Sequence, residues 1–268
     1  MNLSGADTKF RGGFGAAWGW ELLKLRRSLV ARLITPLLIG LVPLASIGAV
    51  ALARSPELPG TAAVKFAPYA TGDLAATHLL VAGQLLSVGV LLAGGFAVAW
   101  SYGREFSEGT AGAVTGLAAP RWTIGVAKAL IIAVWLTASA IISLALTLLL
   151  SAAVGGQPGE EAWQNTVTAT LAALLVVALV MPFACVATLT RSPLGTIGVL
   201  IAVVMLTQIL VVLGAGNWFP YAVPSLLAGM GGPDAADALQ PWALATTAAL
   251  APVAILTVAR QWRTLNDI

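Results

Sequence analysis

Six runs of this chain are apolar enough, and long enough, to lie in a bilayer, which restricts the fold to helices packed across a membrane. They cover residues 33–53, 78–100, 124–154, 168–189, 194–213 and 242–259. Each meets or approaches the roughly 20 residues that a helix needs to span hydrocarbon. A helix also satisfies its own backbone N–H and C=O groups, which lipid cannot do. The third run is the longest and is expected to tilt or to extend past the bilayer. Charged residues make up only 9% of the 268, against about 25% in a soluble domain, so most of the exterior must meet lipid. The expected fold is an all-α membrane protein. Residues 1–32 form an N-terminal region, 33–260 the six-helix transmembrane domain, and 261–268 a tail.

The connections carry turn-forming and interfacial residues. Three prolines interrupt 54–73, GGQPGEE follows the third run, and LTRSP separates the fourth from the fifth. The long segment 214–241 holds Trp218, Phe219 and Tyr221, suited to a short re-entrant or headgroup-level piece. Charge then orients the chain. With the N-terminus inside, twelve of the fourteen lysines and arginines are cytoplasmic, and only Arg54 and Lys65 are outside. That asymmetry predicts both termini inside, in the plasma membrane. The first long apolar run starts near Leu33, later than the core of a cleaved signal peptide, and is read as a retained helix.

Before that run, Phe14, Trp18, Leu22, Leu25 and Leu29 recur at helical spacing, while Glu21, Lys24, Arg27 and Ser28 occupy another face. Trp18 and Trp20 prefer the interface, and the basic residues can meet anionic headgroups. An amphipathic helix lying on the inner leaflet is predicted.

The chain lacks the usual motifs of chemistry. It has no GxxxxGK[ST] phosphate loop, no HExxH and no GxSxG, so no catalytic residue is assigned. The basic residues do not interleave with aromatics as in a nucleic-acid patch. One cysteine, Cys185, and one histidine, His78, make no metal site. Cys185 reads as a small buried apolar side chain, and His78 as a structural residue at the interface. Within the six runs the ionisable residues are His78 and Lys128, both near ends, whereas ion-coupled carriers place such groups on the path. Gln84 and Gln208 are the clearest polar side chains inside. Either could line a pathway, or bond a neighbouring helix.

Charge returns between the second and third runs, in REFSEGTAGAVTGLAAPRWTIGVAK over residues 104–128. Arg104, Glu105 and Glu108 leave the membrane, small residues follow, Pro120-Arg121-Trp122 opens the next helix, and Lys128 lies one to two turns on, able to snorkel to the interface. A short glycine-rich helix bounded by charge is suited to being gripped by a protein on the water side. An ordinary loop with a positive-inside charge cluster would look the same.

The pattern of Glu105, Glu108, Gly109 and Thr110, then Leu117, Pro120, Arg121 and Lys128, resembles the cytoplasmic region of ABC-2 type transporter permeases. The layout is also similar: an interfacial helix, six spans, both ends inside, and a long last outer loop. Residues 111–116 are smaller than is common there. The resemblance implies the membrane subunit of an ATP-binding cassette exporter for an amphiphilic or apolar substrate. It implies a coupling helix at about 104–118 docked on separate nucleotide-binding ATPase subunits, and a second permease subunit, identical or related. ATP and Mg would be bound by the ATPase, and no cofactor by this chain. Two rivals differ in class: a membrane sensor or assembly protein that binds its partner through the same helix without transport, and a secondary carrier, which the lack of internal ionisable groups disfavours.

Overall fold

The computed structural model describes residues 3–55, 60–109 and 120–264. Helix α1 (Leu3–Arg27) is followed directly by α2 (Leu29–Ala53), and the short α3 (Gly60–Phe66) leads to α4 (Leu74–Ser107). Then come α5 (Arg121–Ala153), α6 (Glu160–Thr190) and α7 (Pro193–Val212). Two single-turn helices, α8 (Val223–Leu227) and α9 (Pro233–Asp237), precede α10 (Pro241–Arg263). Among the described residues there are no strands. Six helices, α2, α4, α5, α6, α7 and α10, are long and apolar enough to cross a membrane, and the chain is a multi-pass membrane protein.

Local sequence explains where these helices start and bend. Ser28 leaves helical geometry, and its Oγ accepts from Ala31 N at 3.1 Å while donating to Leu25 O at 2.8 Å. This cap ends α1 and starts α2 four residues before the apolar run. Within α2 the segment Leu37–Leu41 is a π turn. It lies between Pro36 and Pro43, and a proline removes an amide donor and crowds the preceding turn. Met181 and Pro182 interrupt α6 in the same way. Helices α4 and α5 have 34 and 33 residues, about 50 Å each at 1.5 Å per residue, well beyond a hydrocarbon core of about 30 Å. Both extend past their apolar runs where Arg104, Glu105 and Arg121 lie.

Helix α4 forms the centre, packed by α2, α5, α6 and α7. The most apolar windows of α4 and α6 are 56% and 61% buried, whereas those of α2, α7 and α10 are 17–22% buried. The first pair therefore forms the interior, and the other three expose most of their apolar surface. The α6–α7 turn crosses α4 at Gly103, where a Cβ would lie 2.5 Å from Pro193 N. Arg191 makes that turn in the left-handed conformation (φ 51°), Ser192 caps α7, and Pro193 takes its first position.

The basic residues gather at one end of the bundle. Arg191 lies over the Phe106 ring at 5.9 Å and Arg263 over Trp122 at 5.1 Å, joining the α6–α7 turn and the end of α10 to the ends of α4 and α5. Arg54, beyond the far end of α2, donates to Gly72 O at 3.0 Å. The segment 214–241 contains short helices, with Trp218 exposed and Tyr221 packed edge-on against Phe183 at 5.9 Å.

Candidate functional site

At the basic end, four charged side chains from three helices form one cluster. Lys24 of α1 reaches Glu21 Oε1 at 3.0 Å, one turn back on the same helix, and Glu105 Oε1 of α4 at 2.6 Å. Lys128 of α5 meets Glu105 Oε1 at 2.7 Å and Glu21 Oε2 at 3.5 Å. It also donates to Ser101 O at 2.9 Å. Each cation thus touches both carboxylates, and the four formal charges cancel. Burial makes the pairing necessary: Lys128 and Glu21 side chains are 2% and 3% exposed, and Glu105 is 10% exposed. A charge held away from water is tolerated only when paired and hydrogen-bonded.

Two expectations are corrected here. Lys128 does not snorkel to the interface; it points inward, with its amine over the rings of Tyr102 at 5.3 Å and Trp262 at 5.9 Å. Glu21 does not lie on a solvated face of α1. It points into the bundle, and α1 docks on α5 through Ala17 and Glu21. The apolar stripe is divided: Phe14 packs against the core, Trp18 and Leu25 are half-buried, and Leu22 and Leu29 are 36% and 72% exposed. His78 is buried against α5, with Nδ1 2.9 Å from Ser151 Oγ.

Aromatic packing supports the cluster from behind. Trp262 of α10 stands edge-on to Tyr102 at 6.0 Å and donates to Thr188 Oγ1 at 3.3 Å. Gly125 makes room for it, since a Cβ there would approach the indole at 2.8 Å. Tyr102 donates to Gly125 O at 2.5 Å. The sequence reading did not single out Tyr102, Gly125 or Trp262. A glycine in the first turns of an apolar helix was the available signal of close approach.

The other singled-out residues are placed as follows. Arg104 pairs with Glu108 at 2.7 Å and lies 5.4 Å over Trp100, with both charged side chains about half exposed. Gly109 ends the described part of α4 with φ +66°. Thr110 and Leu117 lie outside the described residues. Pro120 precedes α5, and its carbonyl accepts from Thr123 N at 2.9 Å; Arg121 is exposed at the first position. Trp18 is tilted against Phe14 at 6.1 Å, while Trp20, 51% exposed, lies 5.8 Å from the Lys24 amine. Arg27 is exposed at the end of α1. Gln84 accepts from Tyr69 OH at 2.7 Å, and Gln208 is exposed on α7, so the structure gives them no shared site. Cys185 is partly buried, with its Sγ 3.3 Å from Ala254 O.

For Lys24, burial lowers the ammonium pKa, and Glu21 and Glu105 more than reverse that, holding it above its ordinary value. Beside the cluster opens a cavity of about 540 Å³, bounded by α1, the start of α2, the end of α4 and the first turns of α5. Among the described residues, no three His, Cys, Asp or Glu side chains are grouped to hold a metal. The arrangement is mechanical in character: it fixes α1, α4 and α5 to one another on both sides of segment 110–119. No protein-family model matches this chain, and no curated protein matches it.

Proposed function

We propose that this chain is the membrane-embedded permease subunit of an ABC-2 type transporter, with both termini in the cytoplasm. It would export an amphiphilic or apolar substrate using ATP hydrolysed by a separate partner. In this reading the segment at about 104–118 docks on the ATPase, and two permease subunits enclose the path. The observation that carries it is the four-charge cluster at the base of the two helices that bracket residues 110–119. A displacement of that segment is delivered to α4 and α5 together, and through Lys24 to α1. Paired buried charges resist sliding apart, because separation leaves each uncompensated. The long extensions of α4 and α5 give such a push leverage on the whole bundle. ATP does work here through its differential affinity for the closed ATPase state.

The test is co-purification with a candidate nucleotide-binding ATPase subunit, then transport into sealed vesicles with and without ATP. ATP-dependent movement of an amphiphile by the complex is expected. An ATPase that binds but drives no transport of any amphiphile would favour a sensor; a chain that binds no ATPase would end the reading.

A further inference from the structure

The cavity beside the charge cluster has two chemically distinct parts. Its inner wall is apolar, formed by Val30, Ala97, Trp100 and Ile131, and its mouth carries Lys24 and Arg27. Its volume of about 540 Å³ falls within the roughly 300–1,000 Å³ of small-molecule sites. Four cations and three carboxylates line it, leaving one positive charge in excess. Lys24 and Lys128 are neutralised within the cluster, and Arg104 by Glu108. Arg27 is the remaining cation, with no ion pair among the described residues. The Lys24 ammonium has three donors, of which two go to Glu21 and Glu105, and 36% of its side chain is exposed. Position matters equally. Leu29 and Leu33, on the same first turns of α2 as the cavity-lining Ser28 and Val30, are 72% and 64% exposed, apolar surface suited to lipid chains. Trp20, which also lines the cavity and is 51% exposed, is an amphipathic ring of the kind that favours the headgroup level.

We propose that this cavity is a binding site for one anionic phospholipid from the leaflet at the basic end. Its phosphate meets Arg27 and the open face of the Lys24 ammonium, and its acyl chain lies along Val30, Trp100 and Ile131. The site goes beyond the proposed permease role and does not require transport. An occupied cavity would fix α1 against α4, adding a lipid-dependent contact to the ionic one.

The full chain is reconstituted in nanodiscs of equal phosphatidylcholine and phosphatidylglycerol, released, and weighed by native mass spectrometry. One retained phosphatidylglycerol per chain is expected, with phosphatidylcholine lost readily. Arg27→Ala should weaken retention about tenfold, equivalent to about 1.4 kcal/mol, without lowering the thermal midpoint in lipid-free detergent. Val30→Trp, which fills the apolar wall, should abolish retention. Arg32→Ala, an exposed cation outside the cavity, should leave it unchanged. An equal loss in Arg27→Ala and Arg32→Ala would reduce the effect to general surface attraction and overturn the site. Displacement by free glycerol phosphate would assign it to a soluble anion, and a lipid-free dimer in place of the adduct would assign it to a second copy; either result overturns the proposal.

Discussion

The Lys128 ammonium lies 2.7 Å from the Glu105 carboxylate, a contact between α4 and α5 across the segment that separates them in sequence. Removing Lys128 leaves the Glu21 and Glu105 carboxylates to share Lys24, with one buried negative charge in excess, and breaking a buried pair costs about 3–5 kcal/mol. Lys128→Ala should therefore lower the thermal midpoint in detergent strongly. The double variant Lys128→Met, Glu105→Gln should recover much of the loss. A double variant as unstable as the two single losses combined would show that the two side chains act separately.

The link from α1 is sensitive to alkaline pH. Lys24 has a pKa above its ordinary 10.5 in the folded chain, so its contribution is complete below about pH 10.5 and is lost as pH rises through the folded value. Tyr221, pushed up to about 12 by burial, also binds its proton more tightly when folded and adds to the same alkaline loss. The measurement is thus the difference between wild type and Lys24→Met, followed as thermal stability from pH 8 to 12. That difference should shrink above pH 10.5. A constant difference would mean that the Lys24 stem, and not its charge, holds α1.

Gly103 tests the crossing of α4 and the α6–α7 turn. Gly103→Ala places a methyl 2.5 Å from Pro193 N, against backbone that cannot move aside cheaply, and overpacking of this kind costs about 1–3 kcal/mol. Gly48→Ala, with nothing within 4 Å of the new Cβ, should be neutral or slightly stabilising, by up to about 1 kcal/mol. Equal midpoints for the two variants would show that the turn adjusts freely.

The proposed coupling segment predicts a directional uncoupling. Gly109 has φ +66°, and no described residue lies within 4 Å of its Cβ position, so Gly109→Val strains the exit from α4 without a clash among the described residues. Insertion in the membrane should be normal, with ATPase association or ATP-driven transport reduced several-fold. Full transport by this variant would remove the role given to that exit. Cysteine labelling at position 110 should succeed only from the cytoplasmic side.

Much of the architecture was legible from composition and pattern. Six apolar runs became six long helices, because any segment of that length and polarity must satisfy its backbone internally in lipid. The periodicity placed Ser28 on the polar face of a single helix with Leu29 on its stripe, whereas the structure makes Ser28 the cap that ends α1 and starts α2. Glu21, Lys24, Glu105 and Lys128 were each noticed for local reasons. Their meeting was not readable: Lys24 and Glu105 are 81 residues apart in the chain, and periodicity carries no information about which helices become neighbours. For the same reason Lys128 looked free to snorkel. A lysine near a helix end can reach water or a carboxylate with the same stem, and only the packing of α1 and α4 against α5 chose the carboxylate. Hydropathy thus decided that this chain is a helical bundle in lipid with its basic residues at one end. Tertiary packing decided that four of its charges lie in the interior, because burial and pairing depend on contacts between distant parts of the chain.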